Sequence, residues 1–379
     1  MMFVLLVVTT LAPRFALQTK SIATTTPANP RQKITAAATS SLTEIPAAQA
    51  PTADEQATVH QTVNVMPDVK TNTEMEQNSN AKETTGDMLA ATPPMGWNSW
   101  DAFGTGVREE SVKANADYMA RHLAKYGWQY IVVDIQWYEP NAKSHDYLPG
   151  ARVVLDEYGR LLPAENRFPS AANGAGFKPL ADYVHGKGLK LGIHIMRGIP
   201  RQAVAENLAV KGSDVRASAV ADKDNACRWN ADMWGVDTTK PGAQAYYDSI
   251  AELYASWGID FIKADDMASH LYQPAEIKAL SQAIRKTGRP MVLSLSPGPA
   301  PITEADFFGK YAQMWRISDD FWDKWPSLKA QFGRARDWAA SPRTAGRPGA
   351  WPDADMLPLG RAGRMRDGGR PSRVMSNTP

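Results

Sequence analysis

The chain has 379 residues, and its 42 Lys and Arg nearly balance its 40 Asp and Glu, for a formal net charge of +2. This balance argues against a nucleic-acid partner, which would call for a concentrated basic excess. An apolar content of 43% is typical of a globular protein. No apolar run reaches the roughly 18 residues of a spanning helix, so no membrane partner is expected. The single cysteine, Cys227, excludes an intrachain disulfide and a cysteine-rich zinc site.

The first 90 residues differ in composition from the rest of the chain. They contain 16 Thr and one glycine, Gly86, whereas all 12 Trp and all 12 Tyr lie at or after Trp97. Such a segment buries too little apolar area to offset the loss of chain entropy. We therefore predict a disordered, low-complexity leader over 18–88.

Residues 1–17 contain a short apolar run, MFVLLVVTTLA, followed by Arg14 to Leu17 with one small residue, Ala16, near a possible cleavage point. This pattern is typical of a signal peptide, which predicts a secreted or periplasmic protein. No Lys or Arg precedes the run, so a cytoplasmic location stays open as the alternative.

From residue 89 to residue 360, strand-like and helix-like runs alternate. The helix-like runs show apolar residues at helical spacing and cover 109–126, 177–187, 242–257, 274–286 and 324–339. The strand-like runs are 95–100, 130–137, 189–196, 259–266, 291–296, 312–320 and 349–357.

These strands are apolar on both faces, as required of a parallel sheet covered by helices. Seven strand-like runs in this length predict an α/β fold of the (β/α)8 barrel type rather than a doubly wound sheet. No glycine-rich phosphate loop follows the first strand, so a nucleotide cofactor is not expected.

Polar residues cluster where the predicted strands end, and in a barrel those ends meet on the face that carries the active site. Two carboxylates in one pocket are the minimal equipment for glycoside hydrolysis. Lys263 lies two residues before Asp265, on the same side of its strand, and its charge favours an ionised Asp265. Trp315, Phe321 and Trp322 predict apolar surroundings for Asp320, which favour a neutral proton donor.

Other interpretations of these residues remain open. A strand-end Asp is often a helix or loop cap, and a Trp near the rim often belongs to the core. Asp265 and Asp266 are also candidates for a divalent metal site, as is the Asp353–Asp355 pair. His194 is as compatible with a pocket wall as with a catalyst.

Four motifs together resemble glycoside hydrolase family 27, the α-galactosidase family. In order, they are TPPMGWNSWDAFG at 92–104, IDFIKADD at 259–266, WRISDDFWDKW at 315–325 and AWPDADML at 350–357. The resemblance implies a (β/α)8 barrel and a retaining double displacement that uses no metal or other cofactor. It makes Asp265 the nucleophile and Asp320 the acid/base. It also implies a galacto-configured glycoside substrate, bound by Trp100, Asp134, Lys263, Arg316 and Asp355.

The sequence departs from the family at three further pocket positions. Ile135 replaces the second Asp of the usual Asp-Asp pair, His194 replaces the usual Tyr, and Ser296 replaces a frequent Glu. Because lost polar contacts change discrimination strongly, a β-L-arabinopyranosidase specificity is the alternative. The family's loop disulfide is also missing, because Cys227 matches one of its two cysteines and Met267 stands at the position of the other.

The family pattern is expected to stop after Gly360. Residues 361–379 carry five Arg and no apolar period, which predicts a disordered or frame-shifted tail and a missing eighth βα unit. This expectation leaves an inactive sugar-binding remnant as a second hypothesis. A metal-dependent lyase or isomerase on a similar barrel is the third. Oligomeric state cannot be deduced from these patterns.

Overall fold

The computed structural model describes residues 7–10, 88–143, 146–269, 272–322 and 324–360. The predicted leader over 18–88 except its last residue, the tail over 361–379 and most of the signal-peptide segment lie outside the described residues. None of the helices in the described ranges combines the length and the apolar character that a membrane crossing requires.

The strands are short and, in the central sheet, run parallel. In chain order they are β1 Val7–Thr10, β2 Gly96–Asn98, β3 Tyr130–Val133, β4 Lys190–Met196, β5 Ile199–Pro200, β6 Ala221–Asp222, β7 Met233–Val236, β8 Phe261–Asp265, β9 Val292–Leu295, β10 Met314–Arg316, β11 Trp351–Asp353 and β12 Leu357–Gly360.

The central sheet contains β2, β3, β4, β8, β9, β10 and β11, side by side in chain order. All of its neighbouring pairs are parallel. The result is a curled seven-stranded sheet, an incomplete (β/α)8 barrel, and each of its strands falls inside one of the seven predicted runs. The predicted fold class is therefore confirmed.

Helices connect and cover the strands. They are α1 Trp100–Phe103, α2 Glu109–His122, α3 Lys178–His185, α4 Arg201–Ala205, α5 Ala217–Val220, α6 Ala243–Ser256, α7 Pro274–Lys286, α8 Ala305–Tyr311 and α9 Trp325–Ala339. Their buried residues repeat at helical spacing, as with Ile277, Leu280 and Ile284 of α7. The five longest match the five predicted helices, whereas α1, α4, α5 and α8 were not predicted.

Apolar side chains fill both faces of the sheet. The main core includes Ile131, Val133, Ile262 and Leu293, which pack with residues of the helices. A second cluster of alternate strand residues consists of Tyr130, Val132, Phe261, Val292 and Met314. Because successive strand residues point to opposite faces, this second cluster fills the concave side of the sheet beneath the strand ends.

The stretch from 197 to 240 leaves the barrel pattern. Here β5, β7 and β6 form a small antiparallel sheet with β7 in the middle. We refer to residues 198–240 as the excursion. Separately, β1 pairs in parallel with β12, with Val7 opposite Leu357, and β1 also lies beside β2.

Candidate functional site

The sequence-predicted residues meet at the carboxyl edge of the central sheet. The position of each residue follows from its place at or near the end of a strand, because the carboxyl ends of parallel strands share one edge. The register places His194 opposite Lys263 and Arg316 opposite Asp353. One cavity at this edge is lined by residues from five strands or their ends, including Asn98, Lys263, Ser296, Arg316 and Asp355.

Asp265 ends β8 and makes two side-chain contacts. His194 Nε2 lies 3.3 Å from one carboxylate oxygen, and the Ser296 hydroxyl donates to the other at 2.9 Å. Burial alone would raise the pKa of Asp265, but His194, Lys263 and Ser296 outweigh it and hold this pKa well below its usual range. Asp265 is therefore ionised, as the Lys263 spacing predicts.

Lys263 contacts a different carboxylate directly. Its ammonium lies 2.8 Å from Asp134 Oδ2, which also accepts a hydrogen bond from Asn98 Nδ2 at 2.7 Å. Burial opposes both charges, yet each partner stabilises the other, so the pKa of Asp134 is lowered and that of Lys263 is raised. The pair is thus a fixed dipole beside Asp265.

Arg316 holds two carboxylates with one guanidinium nitrogen. Nη2 lies 3.0 Å from Asp320 Oδ1 and 2.9 Å from Asp355 Oδ2. The apolar surroundings predicted for Asp320 are wrong. Its side chain is 47% exposed, because the neighbouring Phe321 and Trp315 turn into the core and leave the carboxylate at the rim.

Asp355, beside Asp320, is a buried carboxyl with a raised pKa, as are Asp353 and Asp101. Its Oδ2 accepts a hydrogen bond from the Phe321 main-chain N–H at 2.6 Å. Burial, followed by the negative charges of Asp320 and Asp353, outweighs Arg316 and raises the pKa of Asp355 to about 7. Asp353 is itself buried, and its Oδ1 accepts from the Asp355 N–H at 2.9 Å.

The aromatic residues divide between the core and the rim. Trp97, Trp137 and Trp315 are fully buried, so for these three the core interpretation holds. Trp100 is half-buried, and its ring stacks on Tyr147 with centroids 6.4 Å apart. Trp100 and Tyr147 are both part-exposed, so this pair is available to border an open pocket.

Sequence reasoning missed Tyr147 and Asp101. Burial, followed by the charges of Asp265, Asp134 and Asp320, raises the pKa of Tyr147, which places its phenol near these carboxylates. Asp101 is 2% exposed, and among the residues that the structure describes neither of its carboxylate oxygens has a hydrogen-bond partner. Both residues lie outside the apolar runs. Asp101 is in α1, and Tyr147 is in the loop after β3. A polar residue directly after Trp100 was the only available signal for Asp101.

The side chains of Asp265 and Asp266 do not share a site that would suit the alternative of a metal between them. The Asp266 carboxylate lies 2.7 Å from Arg197 Nη2, whereas Asp265 contacts His194 and Ser296. Across the described ranges, no group of three or more His, Cys, Asp and Glu is spaced to hold a metal ion. Cys227 is a free, buried thiol, and Met267 is also buried.

Comparisons with known proteins agree with this geometry. A family model described as α-galactosidase A matches residues 92–237 and 230–375, past Gly360. The chain is 30% identical over 277 residues to an α-galactosidase from Oryza sativa subsp. japonica, which covers 73% of this chain and 53% of the relative. It is 32% identical over 285 residues to α-galactosidase A from Cellvibrio japonicus, covering 72% and 56%.

A solved structure is more similar in sequence. It is a GH27 β-L-arabinopyranosidase from Geobacillus stearothermophilus in complex with arabinose, with 55% identity and a TM-score of 0.73, covering 76% of this chain and 67% of that one. The chain spans about half the length of the curated relatives it matches. By its ordered motifs, its seven-stranded sheet and the family match, the chain belongs to the α-galactosidase family, glycoside hydrolase family 27.

Proposed function

We propose that this chain is a retaining glycoside hydrolase that removes a terminal, galacto-configured sugar, with Asp265 as nucleophile and Asp320 as acid/base. The supporting observation is the pairing of two unlike carboxyls at one sheet edge. Asp265 is largely enclosed, with its side chain 18% exposed, and is held ionised, whereas Asp320 is half exposed and fixed by Arg316. Retaining enzymes require such a pair about 5–5.5 Å apart.

The reaction proceeds in two displacements. In the first, an Asp265 oxygen attacks the anomeric carbon while the glycosidic bond breaks, and Asp320 gives its proton to the leaving oxygen. In the second, Asp320 takes a proton from water, and the water oxygen attacks the same carbon and releases Asp265. Two inversions give net retention.

The remaining side chains bind and orient the sugar. Lys263, Asp134 and Arg316 present fixed charges to its hydroxyls, and Asp355 offers a carboxyl beside the acid/base. His194 and Ser296 hold the nucleophile's two oxygens, and Ser296 also lines the cavity at this edge. Trp100 supplies an apolar ring on which a sugar face stacks.

Ile135 favours a second candidate specificity. It is 2% exposed and follows Asp134 directly, where a second carboxylate would bind a sugar hydroxyl. An apolar side chain there suits a sugar that lacks the hydroxymethyl group of galactose. The 55% identical relative is described as a β-L-arabinopyranosidase, so β-L-arabinopyranoside hydrolysis is the alternative activity.

The nucleophile is tested by comparing the two ends of β8. Asp265→Asn should lower aryl-glycoside hydrolysis by roughly 10³-fold or more, because the covalent step is lost. Asp260→Asn is the matched control, since Asp260 precedes the strand and contacts His185 and Arg289 instead. It should keep its activity per folded molecule. Asp320→Asn should lose more activity on glycosides with poor leaving groups than on those with good leaving groups, because a poor leaving group needs the proton that Asp320 donates.

Four outcomes would contradict this assignment. An active Asp265→Asn would exclude the nucleophile, and a first-formed product of inverted configuration, detected by NMR, would exclude the double displacement. Saturable galactose binding by the unaltered chain without turnover would instead support the sugar-binding remnant. Chelator-sensitive turnover would favour the metal-dependent class.

The sugar preference is tested at Ile135. We expect Ile135→Asp to shift the ratio of kcat/KM toward aryl α-galactoside and away from aryl β-L-arabinopyranoside by about tenfold or more, because a restored carboxylate accepts a hydroxyl hydrogen bond. Ile135→Val is the control for packing and should leave the ratio unchanged. An unchanged ratio in both variants would show that Ile135 does not set the preference.

A further inference from the structure

Arg197 is a buried cation directly behind the proposed nucleophile. It follows β4 and is 2% exposed. Its main-chain N–H donates to the Asp265 carbonyl at 3.0 Å, while Nε donates to both the carbonyl and the carboxylate of Asp266 at 2.9 Å. Arg197 therefore contacts the peptide on both sides of the 265–266 junction.

Asp266 has an unusual backbone conformation. Its φ is +62°, in the left-handed region that residues with a side chain rarely adopt. Arg197 Nη2 lies 2.7 Å from the Asp266 carboxylate and fixes the residue from the side-chain end as well. The conformation of Asp266 sets the direction in which the chain leaves Asp265, so this contact bears on the placement of the nucleophile.

The same guanidinium reaches the excursion and α7. Nη1 donates to Glu276 Oε1 at 2.6 Å, and Nη2 donates to the Asn225 carbonyl at 3.1 Å. The other Glu276 oxygen accepts hydrogen bonds from Tyr247 at 2.5 Å and from the Val236 N–H of β7 at 3.2 Å. Arg197 thus joins the excursion and α7 to the end of β8.

Packing around Arg197 leaves little room for adjustment. A Cβ added at Gly235 of β7 would lie 2.8 Å from Arg197 Nη1 and 2.5 Å from the Asn225 carbonyl. Such close backbone approach requires glycine at this position. The excursion is therefore seated directly on the guanidinium, and movement of one displaces the other.

We propose that Arg197 is a positioning residue for Asp265. It holds the 265–266 peptide so that the Asp265 carboxylate faces the anomeric carbon, and it couples the orientation of this carboxylate to the position of the excursion. The inference rests on the proposed function, because it presumes that Asp265 is the nucleophile. Displacement of a reacting group by about 1 Å from a distant change can cost about 10²-fold in rate.

The test compares two buried arginines. We expect Arg197→Met to lower kcat on an aryl glycoside by about 10²-fold while KM changes less than about threefold. Labelling of Asp265 by a 5-fluoroglycosyl fluoride, followed by mass spectrometry, should slow by the same factor as kcat. Arg197→Lys should recover part of the rate, because the ammonium keeps a charge but loses the fork of donors.

Arg160→Met is the matched control. Arg160 is also buried, pairs with Asp156 at 2.7 Å and donates to the Ser249 carbonyl, and none of these contacts involves the candidate site. Arg160→Met should lower the melting temperature but keep the wild-type kcat per active molecule, counted by labelling with the 5-fluoroglycosyl fluoride. Asp266→Asn, which keeps Arg197 in place, serves as a second variant if Arg197→Met does not fold, and should lower kcat by about tenfold.

The outcomes separate the two proposals. Wild-type kcat and labelling rates in folded Arg197→Met, or in folded Asp266→Asn, would overturn the positioning role while leaving Asp265 as nucleophile. An active Asp265→Asn, or labelling at another residue, would overturn the proposed function itself. A loss of total activity in Arg197→Met that comes only from a lower melting temperature, with wild-type kcat per folded molecule as expected of Arg160→Met, would reduce Arg197 to a structural role.

Discussion

At the scale of single residues, Arg316 decides how the carboxyls of the site differ. One of its nitrogens serves both Asp320 and Asp355, and two carboxylates this close resist ionising together. The buried Asp355 keeps the proton, with a pKa raised to about 7, whereas Asp265 is held ionised by His194, Lys263 and Ser296. Unlike environments thus separate carboxyls of the same chemical type.

This separation predicts a pH effect. Above about pH 7, Asp355 ionises and places a second negative charge on the guanidinium that holds Asp320. We expect kcat/KM to fall through this range and Asp355→Asn, which stays neutral, to flatten that limb of the profile. The measurement is kcat/KM from pH 4 to pH 9 for both proteins. An identical limb in Asp355→Asn would assign it to another group.

The pH dependence of the free energy of unfolding provides an independent check on the pKa of Asp355. The pKa of Asp355 is about 7 in the folded chain against a reference of 3.8, so the folded state binds the extra proton between these values. The free energy of unfolding therefore falls as pH rises from about 4 to about 7. Asp355→Asn should remove this part of the fall, measured by urea unfolding at several pH values.

At the scale of elements, two glycines show opposite constraints. A Cβ at Gly192 of β4 would meet Phe261 Cβ at 2.9 Å and Val132 Cγ2 at 3.0 Å, whereas one at Gly333 of α9 would meet no atom of the described part of the chain within 4 Å. Gly192→Ala should destabilise by about 1–3 kcal/mol through overpacking. Gly333→Ala should stabilise by about 0.5–1 kcal/mol, because alanine loses less entropy in a helix.

Chemical unfolding of the two variants checks this pair. Because each adds one methyl group, the matched chemistry isolates the surroundings as the cause of any difference. Equal changes in both proteins would show that the sheet relaxes around Gly192 and that the close strand packing is not rigid. A destabilised Gly333→Ala would mean that α9 has a neighbour at this position.

The elements also show what sequence patterns can predict. The seven sheet strands were recognisable because each is a short apolar run, buried on both faces, and polar strand ends then located Asp134, His194, Asp265 and Ser296. The small sheet of β5, β6 and β7 was missed because its strands have two to four residues. Such strands are set by long-range contacts, including the one between Glu276 and Val236, rather than by local periodicity.

At the scale of the whole molecule, the same limit applies to the site. Strand order places Asp265 and Arg316 at one edge, so their proximity follows from topology. The exposure of Asp320 does not, because it depends on how Phe321 turns inward after β10. Tyr147 reaches Trp100 from a loop far along the chain. No pattern within either segment predicts that contact.

The contribution of β1 is a question for the whole chain. Its parallel pair with β12 covers four residues, and a few backbone hydrogen bonds contribute about 0.5–1.5 kcal/mol each. Fixing β1 in place, on the order of 80 residues before Met88, costs about 4 kcal/mol of chain-closure entropy. These terms nearly cancel, so the pairing adds little net stability.

We therefore expect a chain that begins at Met88 to unfold within about 1 kcal/mol of the full chain and to keep the same activity per folded molecule. Urea unfolding and aryl-glycoside kinetics of the two chains measure this, with Gly192→Ala as a reference for a real loss of stability. A decrease of about 3 kcal/mol or more would show that β1 locks the open side of the sheet between β12 and β2. In that case, cleavage of a signal peptide at residue 17 would itself weaken the barrel.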